Sequence, residues 1–234
     1  MPPETPRARA RARTLDEITR IGREHLATQG AAALSLRAVA RDLGVVSSAV
    51  YRYVASRDEL LTLLLVDAYD ELGDAVDAAL ASVPDDAFRD RFVALGRAVR
   101  TWALAEPARY ALLFGGPVPG YRAPAERTTV PGTRVPFALQ RIVADAHAAG
   151  ALDVPDDPPP QPALAAGLQS VRDETGLNVP DTALARGLLV WAALFGAVGF
   201  EVFGQYGPDG LGDPEALFER HLTVLADDLG LPPG

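Results

Sequence analysis

The chain contains no cysteine and no lysine, and its 234 residues include one methionine and two tryptophans. Without cysteine there is no disulfide framework, no thiolate metal site and no cysteine nucleophile. The histidines His25, His147 and His221 stand far apart, and no His-Glu-x-x-His zinc motif occurs. A Gly-x-Ser-x-Gly nucleophile elbow and a Walker A phosphate loop are also absent. The Gly/Pro stretch from Gly115 to Tyr121 lacks the lysine and the preceding strand that a phosphate loop needs. The acidic pair Asp156–Asp157 sits in a proline-rich segment, where it reads as solvated charge. This inventory excludes the familiar hydrolytic and metal-dependent chemistries and implies neither a cofactor nor a metal. The longest apolar run, Gly187–Phe200, has 14 residues, three of them glycine. A membrane span needs ~20, so this run reads as a buried helix. Met1–Arg13 has no apolar stretch of the kind a secretory signal carries, and the expectation is a soluble cytoplasmic protein with no membrane partner.

What remains is an ordinary globular composition, 48% hydrophobic and 23% charged, with length for one or two domains. All 22 basic residues are arginine, which together with abundant Ala, Gly and Pro reads as coding bias. The net charge of −9 would argue against a nucleic-acid partner if it were evenly spread. It is not. Residues 1–60 hold 10 Arg against 7 acidic residues, whereas the remainder holds 12 Arg against 24. A small basic head precedes a large acidic body.

The hydrophobic periodicity is helical and never strand-like over a useful length, so the expected fold is all-α. Thr14 and Glu17 form a capping box before a helix that ends at Gly30. Ser35 can cap a short helix carrying Leu36, Val39, Ala40 and Leu43 inward, and a third helix follows from Ser47 to Val54. Ser56 and Glu59 make a second capping box, opening a long helix that ends near Pro84. Further helices are expected at about Asp85–Ala105, Arg134–Ala149 and Ala163–Thr175, with irregular chain over 115–132 and a proline-rich linker over Asp153–Pro162. Asp181–Gly204 and Glu215–Leu229 complete the set, the last with Asp213 as cap and Pro214 at the first helical position.

The informative stretch is Ser35–Leu60, SLRAVARDLGVVSSAVYRYVASRDEL. Two short helices separated by a turn at Gly44 suit a helix-turn-helix. At 100° per residue, Val46, Val50, Tyr53 and Val54 share one direction and are expected to pack inward. Ser48 and Arg52 lie opposite, flanked by Ser47 and Tyr51, and such a face suits the base edges of a major groove.

These residues resemble the DNA-binding domain of the TetR family of transcriptional regulators. The family's pattern is met by Arg37, by Gly44-Val45, by Tyr51-Arg52-Tyr53, and by Ser56-Arg57-Asp58-Glu59-Leu60. Three positions depart from it: Val46 replaces a Ser or Thr, Val54 an aromatic, and Arg57 a lysine. The resemblance implies a three-helix head over residues 14–62, in which Tyr51 and Arg57 hold phosphates while Arg37, Ser47, Ser48 and Arg52 lie near base edges. Residues 1–13, with Arg7, Arg9, Arg11 and Arg13, resemble the flexible basic arms of some members. Plain solvated charge is the competing reading for the arm, as it is for Arg37 and Arg52.

Residues 63–234 resemble a TetR ligand-binding and dimerisation body. Trp102–Tyr110, Gly116–Tyr121 and Trp191–Gly196 are similar to the effector domain of a subfamily named for a Trp-His-Gly motif, with Phe195 where that histidine is expected. Ala192, Gly196 and Gly199 are small residues at helical spacing, suited to close approach of a partner helix. Trp102, Tyr110, Tyr121, Phe137 and His147 are candidates to line a pocket for an apolar or aromatic effector, with the 115–132 segment as its mouth or lid. The resemblance thus implies a repressor that binds a palindromic double-stranded DNA operator as a homodimer and is released by a small molecule. A helical interaction or adaptor protein without DNA binding is the alternative.

Overall fold

Helix formation begins earlier than the Thr14 capping box indicates. In the computed structural model, which describes residues 5–153, 158, 160–207, 209 and 211–233, α1 spans Pro6–Gln29. Thr5 caps it by accepting from the Ala8 N–H at 3.2 Å, with Pro6 in the first helical position. Thr14 lies inside the helix, its hydroxyl donating to the Ala10 carbonyl at 3.0 Å. The Ala/Arg alternation before it contains only strong helix formers, so nothing interrupts propagation. The stretch expected as a flexible arm is therefore helical from Pro6.

After a 3₁₀ turn at Ala31–Ala33 come α2 (Leu36–Asp42), α3 (Ser47–Val50), α4 (Arg57–Leu80), α5 (Phe88–Ala105), α6 (Pro107–Phe114), α7 (Ala125–Ala148), α8 (Pro162–Thr175), α9 (Asp181–Val202) and α10 (Pro214–Asp228). There is no strand among the described residues. The second capping box is present in part: the Glu59 N–H donates to Ser56 Oγ at 3.1 Å. Asp213 caps α10 by accepting from the Ala216 N–H at 2.9 Å. Half of the expected Asp153–Pro162 linker, 154–157 and 159, lies outside the described residues, and Pro162 already opens α8.

Three elements differ from the sequence pattern. The third helix is shorter than Ser47–Val54, because the chain tightens into turns in which the Val50 carbonyl accepts from the Tyr53 and Val54 N–H groups at 2.8 and 3.0 Å. The helix expected over Asp85–Ala105 does end at Ala105, and Pro107 then opens an additional short helix, α6, that the sequence pattern does not indicate. The irregular segment covers 115–124 only, since α7 starts at Ala125 and runs through Pro131 and Pro136. Each proline deletes one N–H from the helical ladder but has a φ suited to a helix. Between them Gly132 allows a close approach to α4, because a Cβ there would stand 3.2 Å from two ring carbons of Tyr69.

The chain folds as two units, with α4 and α7 contributing to both. One unit comprises the residues up to Glu71 together with Glu106–Gly132. Its core is Ile18, Ile21 and Leu26 of α1, Leu36, Val39 and Ala40 of α2, Val50 and Val54, and Leu60, Leu61 and Leu64 of α4. Ala108 and Leu112 of α6 pack on that core, as do Val118 and Tyr121 of the following loop. The Tyr121 hydroxyl lies 3.0 Å from Thr62 Oγ1. Arg109, 2% exposed, pairs with Glu71 at 2.7 Å and Asp67 at 3.1 Å, and Arg23 of α1 engages the same two carboxylates. A shared charge network therefore fastens α1, α4 and α6 beside their apolar core.

The second unit comprises Leu72–Ala105 and the chain from Thr133 onward. Within it α9 packs on α5, α8 and α10. Although α9 is long and apolar enough to cross a membrane, Leu184, Val190, Leu194 and Val198 bury one side of it in this unit. Gly96 of α5 lies so close to Leu222 of α10 that a Cβ would collide with it. Arg97–Glu219 and Arg100–Glu201, both at 2.7 Å, tie α5 to α10 and α9.

The Arg109 network generates a stability prediction. Arg109→Met removes a buried guanidinium and leaves Asp67 and Glu71 to Arg23 and water. The expected cost is about 3 kcal/mol, the order found when one partner of a buried pair is deleted. Urea unfolding measures it, and a loss below about 1 kcal/mol would show that the network does not hold the three helices.

Candidate nucleic-acid interface

The turn between α2 and α3 is set by Gly44, whose φ of 73° is left-handed and favours glycine. The Gly44 N–H donates to the Arg41 carbonyl and the Val45 N–H to the Ala40 carbonyl, both at 3.0 Å, closing the end of α2. From the other side α2 is held to α1 by His25 and Asp42, whose Nε2 and Oδ2 lie 2.6 Å apart. The His25 ring holds the Asp42 carboxyl below the usual carboxylate range, with Arg41 contributing.

With α2 and the turn fixed, Val50 and Val54 point inward and are buried, and Tyr53 is half-buried. Ser48, Tyr51 and Arg52 are exposed, Ser47 is half-buried, and Arg37 of α2 is exposed. The inward expectation fails for Val46, which is 71% exposed. Val46 is the residue before α3 and has extended backbone, φ −68° and ψ 143°, so the 100° spacing of a helix does not govern its direction. Arg57 is partly committed: its guanidinium donates to the Ala31 and Ala32 carbonyls at 2.9 and 3.1 Å, bracing the 3₁₀ turn against α4.

The charge pattern is sharper than the composition indicates. Most arginines of the body are matched to carboxylates, among them Arg89 with Asp227, Arg134 with Asp74, and Arg186 with Asp228, Arg122 and Arg220 being the exceptions among the described residues. By contrast, Arg7, Arg9, Arg11, Arg13, Arg37 and Arg52 are exposed with no acidic partner among the described residues. Arg11 instead sits 5.3 Å from the centroid of the Tyr53 ring, a cation–π contact from α1 to the chain just after α3. Sequence reasoning misses this contact, which depends on α1 starting at Pro6. Unpaired guanidiniums beside an exposed short helix can bind phosphate and guanine edges.

The other candidate residues separate by unit. Tyr110 and Tyr121 belong to the first, where Tyr110 is buried against Phe114 at 5.0 Å between ring centroids and its hydroxyl pKa is pushed up by that burial. Trp102, Phe137 and His147 belong to the second, respectively buried, exposed and half-buried. On α9, Ala192 and Gly196 are exposed, whereas Gly199 is buried. A Cβ on Gly196 would meet nothing within 4 Å. Gly196 lies in an apolar groove of about 370 Å³ with Ala193, Ala197 and Phe200 of α9 and Val224 and Leu225 of α10. No group of His, Asp or Glu side chains suited to a metal ion occurs among the described residues.

Residues 18–64 match the family described as bacterial regulatory proteins, tetR family, and residues 92–225 match the tetracyclin repressor-like C-terminal domain. The HTH-type transcriptional regulators Rv1816 of Mycobacterium tuberculosis and Mb1846 of Mycobacterium bovis are each 49% identical to this chain over 216 residues, covering 92% of it and 92% of their own length. Among solved structures, SCO4313, described as a regulatory protein, is 38% identical with a TM-score of 0.76, covering 95% of this chain and 100% of its own. A bacterial regulatory protein of the tetR family from Rhodococcus RHA1 shares the fold at 18% identity, with a TM-score of 0.61 and coverage of 94% and 98%.

Proposed function

The chain belongs to the TetR family of transcriptional regulators, with a helix-turn-helix DNA-binding domain and no enzymatic role, and from that premise we propose a cytoplasmic, homodimeric repressor that leaves a palindromic operator when a small molecule binds. Residues 14–62 read the DNA, and residues 63–234 dimerise and sense the effector. The observation that carries the DNA reading is the exposed pair Arg37 and Arg52, free of acidic partners among the described residues, on either side of the turn. They and Ser47 and Ser48 face base edges in this reading, while Tyr51 and Arg57 hold phosphates. The helical extension with Arg7, Arg9 and Arg13 adds phosphate contacts, steadied by Arg11 on Tyr53.

Dimerisation is assigned to the groove of α9 and α10. Phe200 and Val224 are exposed there, beside the open approach at Gly196. An apolar face of this kind is covered when a second copy packs on it. The effector is assigned to Tyr110 and Tyr121 of the first unit, with Trp102, Phe137 and His147 of the second as a separate candidate lining. Its effect on DNA binding is bounded by its preference for the released conformation over the DNA-bound one.

Four outcomes test these assignments. Arg37→Ala and Arg52→Ala each lose on the order of 1–3 kcal/mol of discrimination between operator and random DNA, whereas Tyr51→Phe weakens both alike; unchanged affinity in both Arg variants removes the assignment. Deleting residues 1–13 flattens the salt dependence by ~0.9 for each phosphate that the extension neutralises, and an unaltered slope makes the extension a bystander. Gly196→Leu finds open space in the monomer, so it folds normally and yields monomers by light scattering; a variant that is still dimeric places the interface elsewhere. In a thermal-shift screen of apolar metabolites, compounds that stabilise the protein also release DNA and lose their effect in Tyr110→Ala; hits indifferent to substitution at all five aromatic positions place the pocket elsewhere.

A further inference from the structure

Within residues 5–71 the exposed large hydrophobic residues are Val45, Val46 and Tyr51, at 40%, 71% and 46% exposure. All three bracket α3, the helix that enters the groove in the DNA-binding reading. Val46 occupies the cap position of α3, and the cap carries no side-chain hydrogen bond. Valine cannot cap a helix, whereas Ser or Thr would accept from an N–H of the first turn. A residue that breaks the local rule for helix stability while exposing two methyl groups to water has no folding reason to be there.

We propose that Val46, supported by Val45, is a specificity-determining residue that reads the C5-methyl group of a thymine in each operator half-site. The proposal rests on the DNA-binding reading above. Residues at the N-terminal end of a recognition helix are those that reach base edges. In the major groove the thymine methyl is the apolar feature that distinguishes one base from the others. The β-branched valine side chain is stiff at χ1, so its methyl groups are held in place without further ordering on contact. Charge complementarity selects nucleic acid over an apolar protein partner, because Arg37 before the turn and Arg52 after it are exposed with no acidic partner among the described residues.

The test is selection of bound sequences from random duplex DNA by the wild-type dimer and by Val46→Ser, followed by deoxyuridine substitution of each selected thymine. Deoxyuridine keeps the hydrogen-bonding edge of thymine and lacks only the methyl. The wild type selects thymine at one position of each half-site, and deoxyuridine there weakens binding about fourfold, the worth of one methyl group removed from water. Val46→Ser loses the preference at that position alone and is indifferent to the deoxyuridine, while Val46→Thr, which keeps one methyl, retains part of it. Circular dichroism confirms that the variants fold, as the exposure of Val46 leads one to expect. Identical motifs for wild type and Val46→Ser, or deoxyuridine tolerated at every thymine, would overturn the proposal while leaving the DNA-binding reading intact. Enrichment of no motif by any of these proteins would overturn that reading and the proposal with it.

Discussion

A chain with a net charge of −9 can approach a polyanion only if positive charge is left uncommitted where contact is made. The pairing of its arginines meets this condition. Most guanidiniums of the body are neutralised by carboxylates, as in Arg100–Glu201 and Arg97–Glu219, and among the described residues only Arg122 and Arg220 there lack one, whereas six arginines between residues 7 and 52 do. At physiological salt, charges more than ~8 Å from the contact are largely screened. The local excess at the head therefore decides what the protein meets, and the acidic remainder governs solubility more than recognition.

The head depends on more chain than the helix-turn-helix itself. Its apolar core is completed by Ala108 and Leu112 of α6 and by Val118 and Tyr121 of the following loop. Arg109 reinforces this attachment through the carboxylates of α4 that Arg23 of α1 also uses. A change that displaces α6 therefore disturbs the packing of the same unit that presents α3.

Much of this is legible in the sequence because it is local. The caps at Ser56 and Asp213 lie within three residues of the N–H groups they satisfy, and the positive φ of Gly44 matches the turn expected there. The start of α7 is not legible. Pro131, Gly132 and Pro136 carry the signature of a break, and it is tertiary contact with Tyr69 that makes a glycine suitable inside that helix. Val46 escapes the pattern because helical periodicity does not extend to a residue with extended backbone. The aromatic candidates are identifiable by type, but which of them share a unit depends on how distant segments fold together, and residue type alone carries no such information.

Recognition of a defined sequence by this head, acting as half of a symmetric dimer, is tested most directly by genome-wide selection of DNA bound by the purified protein. The predicted result is an enriched inverted repeat whose half-sites lie one helical turn, ~34–36 Å, or a multiple of it apart. Enrichment of a solitary half-site, or of no sequence at all, would contradict it.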